Sequence, residues 1–304
     1  MAQEIFEVLD ERFRRLFVPT ARLDVLYTGC RWAEGPAYFP AGRCLVWSDI
    51  PNDRMLRYDE CTGTVGVFRQ PAGHSNGNTV DRSGRLVSCE HGGRRVSRTE
   101  FDGRVVTLAD TYDGRRLNSP NDVVEKSDGT IWFTDPTYGI DTDYEGHRGE
   151  REQAGSHVFR FDPRDASLSI VADDFVQPNG LAFSLDERRI YIVDTGATHV
   201  EDGPRHIRRF DVGDDGRLSG GEVFATSTSG LFDGLRLDDA GRIWTSAADG
   251  VHCYDPDGTL IGRIKVPEVV ANLCFGGPKR NYLYVCGTTS LYAIRLPVNG
   301  AKTI

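Results

Sequence analysis

Six segments of this chain repeat one pattern, and that repeat constrains the fold more than any other feature. The segments are Glu34-Gly-Pro-Ala, Asn76-Gly-Asn-Thr, Asn121-Asp-Val-Val, Asn179-Gly-Leu-Ala, Asp233-Gly-Leu-Arg and Asn272-Leu-Cys-Phe. Each opens on a small polar or acidic residue and is followed by a turn. An apolar run then follows: Cys44-Leu-Val-Trp-Ser, Leu86-Val-Ser-Cys, Ile131-Trp-Phe-Thr, Ile190-Tyr-Ile-Val, Ile243-Trp-Thr-Ser and Tyr282-Leu-Tyr-Val. A strand-built repeat of roughly 40–60 residues is the signature of a β-propeller. The expected fold is therefore all-β: a six-bladed β-propeller with four antiparallel strands per blade. Equivalent positions of radial blades converge on one axis. Six polar side chains are thus expected to face one central channel.

The remaining strands follow from the same register. In the third repeat, Asn121–Val124 and Ile131–Thr134 flank the turn Ser127-Asp-Gly-Thr, and His157-Val-Phe-Arg-Phe and Leu168-Ser-Ile-Val-Ala supply the outer pair. Asp102-Gly, Asp128-Gly and Asp257-Gly are hairpin turns. The sixth repeat runs out of chain after Leu296 and lacks an outer strand, whereas Leu23-Asp-Val-Leu-Tyr is a strand without a blade. It is expected to complete the sixth blade and close the ring, leaving no long exposed edge. Trp47, Trp132 and Trp244 share one slot on the second strands and are expected between blades.

The 304 residues would allow two domains by length alone, but a propeller closes as one unit. A single domain over 1–304 is expected, with a helical extension over about residues 1–20, where Phe6, Leu9, Phe13, Leu16 and Phe17 fall three and four apart and Pro19 ends the pattern. Two irregular segments stand out: the polar loop from Pro136 to Ser156, expected to be a lid or binding loop, and the shorter Gly196–Arg205 insertion.

Composition excludes several classes. Net charge is −9 and no long basic block occurs, so nucleic acid is not an expected partner. No apolar stretch approaches the ~18 residues of a membrane span, and the first residues lack the pattern of a secretory leader. The seven cysteines are irregularly spaced with no C-x-x-C, which argues against disulfides and zinc–thiolate chemistry and for a reducing, cytoplasmic setting.

Within the repeat, Glu34, Asn121, Asn179 and Asp233 form a set of two carboxylates and two amides. Such hard oxygen donors suit Ca²⁺, Mg²⁺ or Mn²⁺. The carboxylates would repel one another at the axis, and a cation neutralises them. Taken singly, Asn-Gly and Asp-Gly are ordinary turn formers. Glu34 is not, yet it occupies the same slot. Asn76 and Asn272 fill the slot in the other two blades and are expected to orient the ligands or contact substrate. His74, His91, Asn118, Ser119, Asp135 and Tyr138 lie one strand or one loop from the axis, and His74, Asn118, Ser119 and Tyr138 are further candidates for substrate contact. Asp135 is read as a turn cap, His147 as part of the lid, and His157, His199, His206 and His252 as structural. G-x-S-x-G, P-loop and dinucleotide fingerprints are absent from the sequence.

Trp32-Ala-Glu-Gly-Pro, Asn118-Ser-Pro-Asn-Asp-Val, Gln177-Pro-Asn-Gly-Leu-Ala-Phe-Ser and Phe232-Asp-Gly-Leu resemble the gluconolactonase/regucalcin/luciferin-regenerating-enzyme family. Ser75-Asn-Gly-Asn-Thr, Cys89-Glu-His-Gly-Gly-Arg-Arg-Val and Trp132-Phe-Thr-Asp-Pro resemble its bacterial gluconolactonase branch. The resemblance runs from about residue 25 to the C-terminus, and its motifs are specific in combination rather than singly. It implies a six-bladed propeller with one divalent cation in the channel, held by Glu34, Asn121, Asn179 and Asp233. It implies hydrolysis of sugar lactones, with phosphorus esters for some relatives, and it maps the proposed catalytic acid/base to Asp233. An arginine that contacts the sugar in regucalcin-type members is replaced here by Ser119.

The expected function is metal-dependent hydrolysis of aldonolactones such as glucono-1,5-lactone. Ca²⁺ is the first choice of cation, with Mg²⁺, Mn²⁺, Zn²⁺ or Fe²⁺ as alternatives. Asp233 is the acid/base, and His74, Asn76, Asn118, Ser119, Tyr138 and Asn272 are the substrate contacts. Two other readings stand beside it: an organophosphate or aryl-ester hydrolase using the same metal, and a non-catalytic calcium-binding propeller. Fold alone does not choose among them.

Overall fold

Strands alternate with short turns throughout residues 5–302, the part of the chain that the computed structural model describes. Apart from a small hairpin of Thr111–Tyr112 with Arg115–Arg116, they form six antiparallel sheets arranged as the blades of a propeller. Blade 1 comprises Ala33–Phe39, Cys44–Asp49, Arg54–Asp59 and Thr64–Arg69; blade 2, Ser75–Val80, Leu86–Glu90, Arg95–Thr99 and Val105–Ala109. Blade 3 comprises Val123–Glu125, Ile131–Asp135, Ser156–Asp162 and Ser167–Phe175; blade 4, Pro178–Phe183, Arg189–Asp194, His206–Val212 and Leu218–Thr226. Blade 5 begins with Leu235–Leu237, Ile243–Ala247, Gly250–Tyr254 and Leu260–Lys265. Blade 6 has Val270–Gly276, Tyr282–Gly287 and Ser290–Arg295, and its outer strand is Leu23–Thr28. Leu23 pairs with Ile294 and Val25 with Tyr292, so the N-terminal strand closes the ring as the repeat requires. The first strands of successive blades touch one another and enclose the axis. No helix of the described residues is long and apolar enough to cross a membrane.

The N-terminal segment differs from its expected helix. Phe6–Val8 is a strand that pairs with Leu260–Lys265 and gives blade 5 a fifth strand, Phe6 opposite Ile264. Glu11–Arg15 forms a 3-10 turn capped by the Asp10 side chain on Arg12 N at 2.9 Å, and residues 1–4 of the expected helix lie outside the described residues. Unpaired backbone on the blade edge takes up the first residues, a strong competitor for so short a helix. The apolar residues still pack inward: Phe13 and Leu16 are buried and Phe6 stacks on Phe17, while Leu9 is exposed. Gly262 lets the Phe13 ring lie on the strand, since a Cβ there would sit 2.2 Å from it.

The core is divided by the seams between blades. One apolar cluster fills each seam: Trp47 with Leu291 and Tyr284 between blades 6 and 1, Trp132 with Leu181 and Ile190 between blades 3 and 4, and Trp244 with Leu273 and Phe13 between blades 5 and 6. Further clusters fill the other seams, around Met55 and Leu86, Val96 and Phe133, and Tyr191 and Leu235. All three tryptophans are fully buried, as their shared slot implies. The seven cysteines are free thiols and all but Cys61 are buried.

An aspartate at the end of a second strand holds the loop that enters the same blade. Asp49 accepts from Arg31 N at 2.9 Å, Asp135 from Asn118 N at 2.8 Å, and Asp194 from Val176 N and Gln177 N at 3.0 and 2.9 Å. Asp194 also accepts from Gly196 N at 3.0 Å. Asp194→Ala would strand these buried donors at about 1–3 kcal/mol each. The expected result is a loss of about 3 kcal/mol or more in urea unfolding; a loss under 1 kcal/mol would show that the loop holds without its cap.

Candidate metal and substrate site in the central channel

Glu34 and Asn179 sit at irregularities in the first strands of their blades, and Asn121 and Asp233 lie in the segments that lead into theirs, just ahead of Val123–Glu125 and Leu235–Leu237. The ladder shifts register between Glu34 and Ala37, between Ser75 and Asn78, between Pro178 and Leu181, and between Val270 and Asn272. Such bulges release a residue from the ladder and re-aim its side chain. The glycine after the ligand serves close packing of neighbouring blades. Gly180 N donates to Asp233 O at 3.0 Å, and a Cβ on Gly180 would lie 2.2 Å from that oxygen. Gly77 N donates to Asn121 O at 2.7 Å in the same way. The first strands are therefore stitched side to side around the axis, which holds their polar side chains in one ring.

The ring opens into a cavity of about 340 Å³. Glu34, Asn121, Asn179 and Asp233 line it together with Asn76 and Tyr138. Trp32, Leu231, Phe232, Val269 and Val270 form the apolar part of its wall. Glu34 Oε2 accepts from Gly35 N at 2.6 Å and from Asn272 Nδ2 at 2.9 Å, which leaves Oε1 without either donor. Asn179 Nδ2 donates to Thr195 Oγ1 at 3.5 Å, and Asp233 N donates to Ser246 Oγ at 2.9 Å. Burial pushes the Glu34 and Asp233 carboxyls well above the usual carboxylate range, and for Asp233 the charge of Glu34 adds to the effect. Two carboxylates withdrawn from water, with two amides beside them, are a donor set that a hard divalent cation satisfies. Asn76 Oδ1 is also buried on this wall with no hydrogen-bond partner among the described residues. The site thus has acceptors in excess of donors.

Four of the expected substrate contacts stand behind the wall rather than on it. Asn118 is fully buried and its Nδ2 donates to Asp135 O and Gly155 O. Ser119 Oγ donates to Pro136 O at 2.7 Å and accepts from Gly139 N at 3.0 Å, so it anchors the lid. Asn272 is spent on Glu34 and on Leu273 N. His74 Nδ1 donates to Ile50 O at 3.0 Å, and its ring meets His147 of the lid edge-on at 5.0 Å. Asn118, Ser119 and His74 share one reason: polar side chains near a chain reversal find backbone partners before they find the channel; Asn272 is held instead by the Glu34 carboxylate.

The loop 136–156 folds over the channel. A single helical turn, Tyr138–Asp141, starts it. Tyr138 OH lies 2.5 Å from Thr195 Oγ1 and 3.0 Å from Thr198 Oγ1, and Asp141 Oδ2 lies 2.8 Å from His199 Nε2. On the far side Tyr144 OH donates to Arg31 O at 3.4 Å, with the Arg31 guanidinium 5.0 Å above its ring. His199, read from the sequence as structural, thereby ties the lid to blade 4. One residue missed as a site group emerges, and one that the sequence placed near the axis gains a role. Glu145, from the middle of the loop, lines the cavity. His91 is fully buried beneath the lid; burial lowers its pKa to about 4, so it is neutral. Its Nδ1 donates to Glu145 O at 3.2 Å and its Nε2 accepts from Asn76 Nδ2 at 3.2 Å, which turns Asn76 Oδ1 away from the imidazole.

A family model described as the SMP-30/Gluconolactonase/LRE-like region matches residues 32–289, which contain every one of these groups. The chain belongs to that family. Among SMP-30/gluconolactonase-like proteins it is similar to the pentonolactonase XacC of Haloferax volcanii, at 34% identity over 86% of this chain and 83% of the relative. The gluconolactonase of Zymomonas mobilis is 28% identical, over 91% of this chain and 82% of its own. A solved structure of a gluconolactonase from Xanthomonas campestris superposes with a TM-score of 0.90 at 38% identity, covering 96% of this chain and 94% of that one.

Proposed function

We propose that this protein hydrolyses sugar lactones in the central channel with the help of one divalent cation. The observation that carries the reading is the carboxylate pair of buried Glu34 and half-buried Asp233, set with Asn121 and Asn179 around one cavity. Similarity to a gluconolactonase and a pentonolactonase over most of the chain supports the reaction class. Glu34, Asn121, Asn179 and Asp233 would hold the cation, and all-oxygen donors favour Ca²⁺, then Mg²⁺ or Mn²⁺. When bound, the cation supplies Lewis acidity toward a carbonyl oxygen. Asp233 takes a proton from the water that attacks the lactone carbonyl carbon. It returns that proton to the ring oxygen as the C–O bond breaks, giving the open hydroxy acid. Asn272 holds Glu34 in place, and the His91–Asn76 pair fixes an amide oxygen toward the sugar. Tyr138 and the lid limit access of bulk water.

The apolar wall of Trp32, Phe232 and Val270 favours a second reading, an aryl-ester hydrolase at the same site. One experiment separates them. Chelator-treated protein is re-metallated with Ca²⁺, Mg²⁺, Mn²⁺ or Zn²⁺ and assayed by pH-stat on five- and six-carbon aldonolactones and on phenyl acetate. Chelation is expected to lower aldonolactone turnover at least ~100-fold, with recovery on one or two of the cations. Turnover of the aryl ester alone would replace the lactone reading with the second, and full activity in chelator would remove the cation from it.

A further inference from the structure

Glu145 is the one carboxylate of the cavity that does not come from a blade. The lid backbone around it is fixed: His147 N donates to Gly139 O at 3.0 Å, Gly149 N to Ile140 O at 3.0 Å, and His91 Nδ1 to the Glu145 carbonyl. Gly146 packs so closely that a Cβ there would lie 2.2 Å from Gly139 O. The Glu145 side chain is only 25% exposed, and the nearest basic atom is His91 Nδ1 at 3.9 Å, on a ring that is neutral. No hydrogen bond from the described residues reaches its carboxylate. Withdrawal from water raises its pKa to about 7, with a smaller contribution from Asp141. Glu34 and Asp233 also face it across the cavity, and Tyr138 lies within reach of its charge. Among the residues lining this cavity there is no lysine or arginine.

A half-buried carboxylate with no donor is costly unless a ligand supplies one. Glu34 and Asp233 have a cation to share in the reading above; Glu145 is held on the opposite element, as part of the lid. Neutral hydroxyls are donors that a carboxylate accepts strongly. A second anion brought into the same cavity would meet its charge with no basic side chain to offset it.

Resting on the proposed lactone hydrolysis, we infer that Glu145 accepts hydrogen bonds from the hydroxyls of a neutral sugar lactone and repels lactones carrying a phosphate or sulfonate. Glu145 is thus a specificity-determining residue, and the substrate class is the uncharged polyhydroxylated lactone.

The test uses the Ca²⁺-loaded full chain and its Glu145→Gln variant, which keeps the side chain's shape. Three substrates are compared: glucono-1,5-lactone, its 6-phosphate, and δ-valerolactone, which has no hydroxyls. The Ca²⁺ Kd of both proteins is measured by calorimetry. Glu145→Gln is expected to lower kcat/KM for gluconolactone about 10–100-fold, mainly through KM, and to leave δ-valerolactone within about threefold. The preference for neutral over phosphorylated lactone is expected to fall about tenfold or more. The Ca²⁺ Kd is expected to stay within about threefold. An equal loss on all three lactones, or none on gluconolactone, would overturn the assignment while leaving the lactone reading intact. A weakened Ca²⁺ Kd would overturn it by making Glu145 a cation ligand. Absence of any wild-type lactone turnover would overturn the functional reading, and this assignment with it. Glu145→Asp, which keeps the charge, is expected to restore discrimination against the phosphate even where it lowers turnover.

Discussion

Asp233→Asn is expected to lower lactone turnover by about 10³-fold or more. The change keeps the volume of the side chain and its place in the strand, where the backbone N–H donates to Ser246 Oγ and the carbonyl accepts from Gly180 N. It removes the proton acceptor of the proposed reaction and one of two charges offered to the cation. Both losses act on the chemical step, so kcat should fall more than KM rises. The cation Kd should weaken at least tenfold in calorimetry. Stability should move the other way. In the cation-free protein desolvation and the charge of Glu34 both oppose ionisation of the half-buried Asp233, and an amide at this position removes that cost. The cation-free variant is expected to melt above the cation-free wild type. Turnover within tenfold of wild type with cation bound would exclude Asp233 as the acid/base. A lower melting temperature would show that the pair is not a site of stored repulsion.

Gly180→Ala is expected to damage fold and site together, although it adds one methyl group. The new Cβ would fall 2.2 Å from Asp233 O and 2.9 Å from Gly234 Cα, both backbone atoms of the next blade. Side chains can rotate away from such a contact; a strand hydrogen-bonded to its neighbour cannot. The blades must part at the axis, breaking the 3.0 Å bond from Gly180 N to Asp233 O and moving Asn179 relative to Asp233. A cost of about 1–3 kcal/mol or more is expected in urea unfolding, with a cation Kd weakened at least tenfold. Gly63→Ala is the control. Gly63 has positive φ, +70°, which Gly180 does not, but nothing lies within 4 Å of its Cβ position, so only the backbone cost of about 1 kcal/mol applies and the cation Kd should not change. Equal effects from the two substitutions would mean that close packing at the axis does not hold the site.

The contrast between these glycines shows where reading by sequence stops. Asn179-Gly and Asp233-Gly look like hairpin turns, and on local chemistry alone that is their best interpretation. In the folded chain Asn179 lies at a bulge of its first strand and Asp233 just ahead of its own, and each glycine is there for the neighbouring blade. The repeat register nevertheless points to Glu34, Asn121, Asn179 and Asp233, which line one cavity, because a periodic chain converts equal sequence position into equal radial position. The same logic closes the ring with Leu23–Thr28 and buries Trp47, Trp132 and Trp244. It requires no knowledge of side-chain contacts.

Period says nothing about residues outside the strands. Asn118 and Ser119 sit as near the axis in sequence as Asn121 does, yet local backbone partners capture both. Glu145 is remote in register and carried by an irregular loop, yet it lines the cavity, because the lid is anchored to blade 1 through Arg31, blade 2 through His91 and blade 4 through Thr195 and His199. The first residues showed helical spacing, but the free edge of blade 5 drew Phe6–Val8 into a strand. What the sequence determined by itself was the blade count, the closure and the ring of axial polar groups, all consequences of a repeat. Only the tertiary structure decided which polar groups face the cavity, how close the blades approach and which loop residue completes the wall, because those depend on contacts between segments far apart in the chain.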